Sequence, residues 1–403
     1  MNLIEFATIS HIKKGKKPLR QTDKPQDGYM PYVDIEAFET GNIKMYTDGE
    51  KCLSCKAGDI LIVCDGSRSG FVGKAIDGYV GSTLAIISAD GMSQEYLYYF
   101  LQGKYALLNT KKKGTGTPHL DANILNQQKL VVPSLEEQKR VVAKIEELFS
   151  ELDNGVETLQ KTKQQLAVYR QAVLKEAFEG KFTAHIPCDV DLSWASEEET
   201  KSLPAIPTEW RYIALSNLGD LGRGKSKHRP RNDPKLFEGG KYPFLQTGEV
   251  KAAKQYITEY SKMYGEFGLQ QSKLWPKGTL CITIAANIAE TAFLGIDACF
   301  PDSVVGFTPY EHIIPEYIKY FIESQKLRLW AFAPATAQKN INLDTLENLI
   351  VPYCSVEEQQ LVIAEIEARM TICDSIEQTV DIALQQAEAM RQSILKKAFE
   401  GEL

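Results

Sequence analysis

A 48-residue segment occurs twice in this 403-residue chain, first at residues 135–182 and again at 356–403. The copies align without a gap at an offset of 221 residues and are identical at 19 of 48 positions. Agreement is strongest at the ends, at Glu136-Glu137-Gln138 and Ala177-Phe178-Glu179-Gly180 of the first copy. A repeat whose period is about half the chain predicts a duplicated unit, in which a globular head precedes each repeated segment.

Each copy has the spacing of an α-helix with one apolar face. Apolar residues recur at steps of three, four or seven, as in a coiled-coil seam. Ser134 and Ser355 are suitable N-caps, and Gly180 and Gly401 lie where a helix usually ends. The residues expected to pair the helices are Val141, Ile145, Leu148, Leu152, Leu159, Leu166, Val362, Ile366, Met370, Val380 and Ile394, with Ile376 on the same stripe.

The connections between the segments determine their directions. Head 1 (residues 1–133) joins the start of the first helix (134–182), and a linker (183–206) joins the end of that helix to head 2 (207–352). The second helix (353–403) follows head 2. Helices that pair side by side under these connections must run antiparallel. The sequence therefore predicts an α+β fold, with two α/β heads joined by two long antiparallel coiled-coil helices and an internal pseudo-twofold repeat. The alternative is that each helix folds back onto its own head.

The two heads share a framework and differ in their loops. Residues 95–101 and 316–322 are both predicted as helices, and residues 57–60 correspond to 277–280 before a predicted strand. Re-written loops on a shared framework favour two recognition modules with different targets. Simple drift of surface loops would leave the same pattern.

Basic and polar loops recur at matching places, near the start and the end of each head. Lysine and arginine contact phosphates, and arginine, asparagine, glutamine and histidine contact base edges. A solvated turn is the commoner explanation for any one such loop, whereas the recurrence favours DNA binding. The DNA-binding candidates are Lys13, Lys14, Lys16, Lys17, Arg20, Arg68, Lys111, Lys112, Lys113 and His119 in head 1, and Arg223, Lys225, Lys227, His228, Arg229, Arg231, Lys339 and Asn340 in head 2.

The distribution of charge is compatible with this hypothesis. The whole chain has a net charge of −7, which by itself argues against nucleic acid. The net charge is nevertheless +2 over residues 1–133 and +3 over 211–352, and the acidic excess lies in residues 183–210 (−5) and 353–403 (−6). The heads are therefore the parts of the chain suited to a polyanion.

Other classes of function lack their sequence patterns. No apolar run reaches the length of about 18 residues that a membrane span needs, and the N-terminal residues lack the pattern of a signal peptide. The Cys52/Cys55 pair has no second pair to complete a zinc site, so we expect reduced thiols, no bound metal and a cytoplasmic location.

Catalytic patterns are missing as well. Residues 219–226 match the phosphate-binding pattern GxxxxGK[ST], but Pro230 and Pro234 follow where that site requires a helix. We find no catalytic motif and no amino-methyltransferase tetrapeptide. The chain is therefore predicted to bind rather than to catalyse.

The repeated text resembles the specificity subunit of type I restriction–modification enzymes. The similarity covers Val132–Phe149, Tyr169–Phe182 and Val351–Leu403, and extends to the order of head, helix, head and helix. The resemblance implies that the heads are target recognition domains, each reading one half of a split double-stranded DNA site, with the helices setting the gap. It also implies two methyltransferase subunits and motor-nuclease subunits as partners, which would bind S-adenosylmethionine, Mg²⁺ and ATP, while this chain binds no cofactor.

Two other functions remain open at this point. A structural adaptor would carry two protein-binding heads on a coiled-coil strut. A self-contained modification enzyme would need the cofactor motif that the sequence lacks.

Overall fold

The computed structural model describes residues 3–111, 118–188, 190–332 and 340–403, without the side chain of Phe332. The strands of head 1 are β1 (Ile4–Glu5), β2 (Ser10–Lys14), β3 (Met30–Val33), β4 (Tyr46–Thr47), β5 (Ser54–Cys55), β6 (Ile60–Val63), β7 (Val72–Lys74), β8 (Gly78–Val80), β9 (Leu84–Ala89) and β10 (Lys129–Leu130). Its helices are α1 (Ile35–Thr40), α2 (Gln94–Gln102), α3 (Tyr105–Thr110) and α4 (Ala122–Asn126), followed by the long helix α5 (Leu135–Phe178).

Head 2 repeats this order after a linker that contains α6 (Glu197–Thr200). Its strands are β11 (Arg211–Ala214), β12 (Gly219–Arg223), β13 (Tyr242–Phe244), β14 (Tyr256–Ile257), β15 (Lys262–Tyr264), β16 (Leu274–Trp275), β17 (Leu280–Thr283), β18 (Thr291–Leu294), β19 (Ala298–Cys299), β20 (Val304–Pro309) and β21 (Ile350–Tyr353). Its helices are α7 (Thr247–Ala252), α8 (Glu266–Gln270), α9 (Pro315–Ser324), α10 (Lys326–Phe332) and α11 (Leu343–Glu347), followed by the long helix α12 (Val356–Glu400).

Corresponding sheets form in the two heads. The order β2-β9-β6-β7 in head 1 matches β12-β20-β17-β18 in head 2, where β14 adds a fifth strand. The order β4-β3-β8-β5 matches β15-β13-β19-β16, and the pairs β3–β8 and β13–β19 are both parallel. Antiparallel pairs of the first and last strands, β1–β10 and β11–β21, complete the heads. The heads are therefore two copies of one mixed α/β design.

The central strand of each head is buried on both faces, which explains its unbroken apolar sequence. In β6, Ile60 and Ile62 join the cluster around Phe100 of α2. Leu61 and Val63 face the opposite way and pack with Val33 of the second sheet. This alternation follows from the two-residue period of a strand. Each head thus has a helix-covered core and a second core between its sheets.

The chain divides into two compact units, and both long helices contribute to each of them. Unit 1 combines the chain up to Lys161 with Val380–Leu403, and unit 2 is Thr162–Thr379. These units differ from the five consecutive segments predicted from the sequence, because each long helix is shared. Among the described helices, not one has the length and apolar content of a membrane span.

The long helices run antiparallel within unit 1. Ile145 and Phe149 of α5 share a buried cluster with Leu395 and Ala398 of α12. One turn further along α5, Asp153 pairs with Arg391, which lies earlier in α12. Residue numbers therefore rise along one helix as they fall along the other.

The same direction holds within unit 2. Lys163 Nζ lies 3.6 Å from Glu377 Oε1. Further along α5, Phe178 packs in one cluster with Val362 and Ile366 of α12. All eleven residues that the sequence assigned to helix pairing are buried or half-buried. Ile376 of the same stripe is the exception, since it is 41% exposed.

One ion pair is built twice from residues that are identical in the two copies. Arg170 Nη2 lies 2.7 Å from Asp374 Oδ1 in unit 2, and Arg391 binds Asp153 in unit 1. Arg170 and Arg391 occupy the same repeat position, as do Asp153 and Asp374. Antiparallel pairing brings the aspartate of one copy to the arginine of the other, so one repeated sequence forms two equivalent contacts.

The repeated glutamine fixes the start of each long helix to a head. Gln138 is fully buried, accepts a hydrogen bond from the Ser93 amide (2.8 Å) and donates to the Gly91 carbonyl (2.6 Å). Gln359 likewise accepts from the Ile314 amide (2.9 Å) and donates to the His312 carbonyl (3.3 Å). Ser93 and Ile314 are the N-caps of α2 and α9, so each glutamine satisfies an amide that the shorter helix leaves open.

The repeated phenylalanine fixes the end of each long helix to a head. Phe178 lies 5.0 Å from Tyr317 and 5.3 Å from Phe321, measured between ring centroids, in edge-to-face contacts. Phe399 makes the matching contacts with Tyr96 (5.0 Å) and Phe100 (5.5 Å). The repeated glycines that follow have positive φ values of 71° and 81°, a backbone conformation that favours glycine and ends the helix.

Two boundaries differ from the sequence prediction. The long helices are shorter than predicted, ending at Phe178 and Glu400 rather than at 182 and 403. The linker is also not a simple exposed connection, since partly buried apolar residues of it pack against the core of head 2. These residues are Cys188, Leu192, Trp194 and Ile206. The glutamates of the linker suggested an exposed segment, although these apolar residues lie on both sides of them.

Candidate nucleic-acid interface

Three separate segments of head 1 meet at the carboxylate of Asp65. Lys14, the last residue of β2, brings its Nζ to 2.8 Å from Oδ2, and His119 brings its Nδ1 to 2.7 Å from Oδ1. Partial burial opposes ionisation of Asp65, but the hydrogen bonds from Lys14 and His119 outweigh it and lower the pKa of this carboxyl. Asp65 is therefore an anion that holds two candidate DNA-binding residues at one place.

The backbone around Asp65 is fixed by main-chain and amide hydrogen bonds. The Gly66 amide donates to the Pro118 carbonyl (2.8 Å), and the Leu120 amide donates to the Cys64 carbonyl (2.8 Å). Asn109 Nδ2 donates to the carbonyls of Ser67 (3.0 Å) and Ser69 (3.1 Å). The loop at 65–70 is therefore held to the segment that follows residue 117, whatever side chain stands at position 65.

The other candidates of head 1 are placed differently. Arg20 pairs with Asp48 at 3.3 Å, and Arg68 pairs with Glu39 while its guanidinium lies 4.2 Å from the Phe71 ring centroid. The remaining described candidates are exposed: Lys13, Lys16, Lys17 and Lys111. Lys112 and Lys113 lie outside the described residues.

In head 2 two candidate arginines share one aspartate. Arg231 Nη2 lies 2.8 Å and 3.0 Å from the two carboxylate oxygens of Asp302, and Arg223 Nε donates to the backbone carbonyl of the same residue (3.0 Å). Arg223 ends β12 as Lys14 ends β2, so both heads place a cation at the same point of the fold. The structure brings these two arginines together, as it does Lys14 and His119.

The remaining candidates of head 2 lie on the loop after β12 or at the end of the head. His228 Nε2 lies 2.8 Å from Asp233, whose pKa is lowered by the hydrogen bond from the Lys235 amide and by His228. Arg229 donates to backbone carbonyls of its own loop. Three described candidates are exposed, namely Lys225, Lys227 and Asn340, and Lys339 lies outside the described residues.

Head 2 lacks the carboxylate at the matching position. Asp65 pairs with His119 in an isolated β-bridge, and Ala285 pairs with Asn340 in the same way. The two heads thus present different side chains on one backbone arrangement: an aspartate with a histidine in head 1, and an alanine with an asparagine in head 2.

The loop that carries Ala285 is also strained. Ala286 and Ala289 have φ values of 62° and 61°, where head 1 has Gly66 and Gly70 in its corresponding loop. An L-residue in this region costs on the order of 1–2 kcal/mol. Strain of this kind often accompanies functional sites.

The phosphate-binding pattern at residues 219–226 has no phosphate-binding geometry. Residues 219–223 form the strand β12, and a single 3-10 turn at Pro234–Leu236 is the next helical structure. The helix N-terminus that would hold a phosphate is therefore missing from this stretch, all of which is described. No cluster of three or more histidine, cysteine or acidic side chains suited to a metal occurs among the described residues.

Comparison with known proteins identifies the family. The family model for the type I restriction modification DNA specificity domain matches residues 1–167 and again residues 207–386. The chain belongs to this family. It is a DNA-recognition subunit of a type I restriction–modification system, a kind of subunit that is not itself catalytic and that acts with partner subunits.

Curated relatives agree with this membership. The EcoBI specificity subunit of Escherichia coli is 25% identical over 389 residues, which cover 94% of this chain and 81% of the relative. The MjaVIII specificity subunit of Methanocaldococcus jannaschii is 26% identical across 98% of this chain and 91% of the relative.

Solved structures share this fold. A chain solved in work on complex assembly and conformational transition of the type I R-M system aligns with a TM-score of 0.72 at 19% identity, covering 100% of this chain and 98% of that one. The HsdS subunit of Thermoanaerobacter tengcongensis aligns with a TM-score of 0.53 at 18% identity, covering 100% and 97%. Both likenesses concern the fold alone.

Several residues of this specificity subunit escaped the sequence reasoning. Asp65 and Asp302 were not among the DNA-binding candidates, although each contacts two candidate cations. A cavity of about 280 Å³ in head 2 adds Gln246, Asn232 and Lys262 beside Arg231. Gln246, two residues after β13, could have been marked from the sequence, since glutamine is one of the side chains that recognise base edges.

Proposed function

We propose that each head reads one half of a split DNA site, and that the two heads read different base sequences. The supporting observation is the matched position at which head 1 has Asp65 and His119 while head 2 has Ala285 and Asn340. A shared backbone with different hydrogen-bonding groups suits two readers of unlike sequence. The segments at 1–133 and 207–352 serve as the target recognition domains, and the lysines and arginines named above supply their phosphate contacts.

We further propose that the paired helices set the gap between the half-sites. The helices α5 and α12 contain 44 and 45 residues, so each is about 66 Å long at about 1.5 Å per residue. The chain passes from head 1 to head 2 through α5, so a change in helix length would change the gap between the half-sites. Segments 134–182 and 353–403 act as spacers, and residues 183–206 as the linker.

The helices also offer a surface for partner subunits. Leu361, Ile372 and Ile376 of α12 are 49%, 60% and 41% exposed and repeat at steps of 11 and 4, which places them on one helix face. Exposed apolar side chains grouped in this way are typical of protein interfaces. We propose that methyltransferase subunits dock on the helices, that motor-nuclease subunits join the full complex, and that these partners bind S-adenosylmethionine, Mg²⁺ and ATP. The complex would act in the cytoplasm, where the free cysteines stay reduced.

The decisive experiment is to map methylated bases in the DNA of cells that express this chain with its methyltransferase subunit. We expect one bipartite motif that disappears when the chain is deleted. A binding assay with DNA duplexes of that motif then separates DNA recognition from the structural adaptor, which would bind protein with no DNA preference. Methyl transfer by the chain without partners would instead support the self-contained enzyme.

The docking surface has its own test. Replacing Ile372 and Ile376 with glutamate should weaken binding of the methyltransferase subunit at least about tenfold, because two apolar side chains of the contact become charged. Glutamate at the exposed positions Thr371 and Ser375 is the matched control. Equal binding by both variants would remove this face from the interface.

A further inference from the structure

Head 1 has an acidic residue, Asp65, among its candidate DNA-binding residues, although a negative charge there would repel DNA phosphates. Asp65 lies between two candidate cations, and its side chain is only 18% exposed, whereas those of Lys14 and His119 are 53% and 55% exposed. The negative charge is therefore covered, and the outer parts of the lysine and the histidine face solvent. This arrangement differs from an acid that simply repels DNA.

The hydrogen bonds also determine which groups remain available. An ionised carboxylate can only accept, so His119 must carry a hydrogen on Nδ1, which leaves Nε2 for another partner. Lys14 has three N–H donors and uses one of them on Asp65 at 2.8 Å. One carboxylate thus orients a lysine with two remaining donors beside an imidazole with one remaining nitrogen.

Lys14, Asp65 and His119 come from three segments that are far apart in sequence, namely the end of β2, the loop after β6 and the segment before α4. The backbone of the last two is already held by the amide contacts of Gly66 and Leu120. The carboxylate of Asp65 is therefore not needed to close the loops. Its side-chain contacts in the cluster are instead with Lys14 and His119.

We propose that Asp65 is a positioning residue for DNA recognition by head 1, and that the Lys14–Asp65–His119 cluster binds one backbone phosphate at the edge of the half-site that head 1 reads. A phosphate has two unesterified oxygens, which suit the two remaining N–H donors of Lys14, and His119 donates from Nε2 to the same phosphate in its doubly protonated form. Phosphate contacts fix the register of a protein on the duplex. Asp65 thereby keeps the reading loops of head 1 over the right base pairs, and head 2, with Ala285 at this position, does not use the device. This inference depends on the proposed reading of DNA by the heads.

The test uses the full chain in complex with its methyltransferase subunit, on duplexes of the mapped motif and on duplexes altered in one half-site. For Asp65→Asn we expect discrimination between the intact and altered head 1 half-site to fall at least about tenfold. Discrimination at the other half-site should stay unchanged, and affinity for unrelated DNA should be equal or higher, because a negative charge has been removed. Asp65→Glu should restore part of the discrimination, since it keeps the carboxylate.

A cycle of variants separates positioning from support of the fold. In a Lys14→Ala, His119→Ala background, Asp65→Asn should cause no further loss of discrimination at the head 1 half-site, because no side chain is left to position. A further loss in that background, or an equal loss at both half-sites, would overturn the proposal while leaving DNA recognition intact. If the unaltered complex shows no preference for any DNA sequence, the proposed function itself fails, and this inference with it.

Discussion

Replacement of Phe178 by alanine tests how each long helix is held to a head. Phe178 ends α5, is 6% exposed, and packs edge-to-face on Tyr317 and Phe321 of α9. Truncation of a buried phenylalanine costs about 3–5 kcal/mol, of which each aromatic contact supplies about 0.5–1.5 kcal/mol. Since all these residues belong to unit 2, we expect the loss of stability to be local to that unit.

Hydrogen exchange measures this loss locally, which global denaturation of a chain with two units would not do. In Phe178→Ala the opening free energy of amides in α9 should fall by about 3–4 kcal/mol, while that of amides in α2 stays unchanged. Phe399 is the matched control, because it occupies the same repeat position and contacts Tyr96 and Phe100. Phe399→Ala should spare α9 and weaken α2, by a smaller amount of about 2 kcal/mol because Phe399 is only half-buried.

Two results would refute this reasoning. A fall of less than about 1 kcal/mol in α9 would mean that the ring contacts do not stabilise the junction. Equal losses in α2 and α9 after either substitution would mean that the two units do not open independently. In Phe178→Leu, which keeps most of the side-chain volume, the opening free energy of α9 amides should lie between that of Phe178→Ala and that of the unaltered chain.

Three further predictions concern DNA affinity, gap length and backbone strain. Alanine at Lys111–Lys113 should weaken DNA binding and reduce the slope of log affinity against log salt by about 1 or more, and an unchanged slope would exclude this loop from phosphate contact. Deletion of residues 158–164 together with their repeat equivalents 379–385 shortens each helix by about 10 Å, so methylome mapping should show a gap about three base pairs shorter with both half-sites unaltered. An unchanged gap would refute the spacer role. Ala286→Gly should raise the opening free energy of β17 amides, measured by hydrogen exchange, by about 0.5 kcal/mol, because at this exposed position relief of the positive-φ strain exceeds the entropy cost of glycine; a lower opening free energy would contradict this.

The sequence was most informative about the helices. Their apolar spacing, the caps at Ser134 and Ser355 and the final glycines are local properties that one sequence displays directly. Their antiparallel direction followed from connectivity alone. The reciprocal pairs of Arg170 with Asp374 and Arg391 with Asp153 were also within reach, because both residue types recur at fixed repeat positions.

The heads were less predictable because their structure depends on distant contacts. Several strands contain only two residues, such as β4, β5 and β14, and they exist because a neighbouring strand supplies hydrogen bonds. The contact of Asp65 with Lys14 joins residues 51 positions apart, and the contact with His119 spans 54. No local pattern encodes such pairs. The basic side chains could be marked from composition, but not the aspartates that they contact.

The glutamine contacts have a consequence for how this molecule can change. The hydrogen bonds that join Gln138 and Gln359 to an amide at a helix start and to a neighbouring carbonyl are made with main-chain groups of the heads, and Gln359 also hydrogen-bonds the side chain of Tyr353 in β21. Main-chain groups remain the same when every surrounding side chain mutates. These hydrogen bonds between helix and head therefore do not depend on the side chains in the loops of the head. Substitutions in the loops can change the proposed DNA preference without a compensating change in the helices.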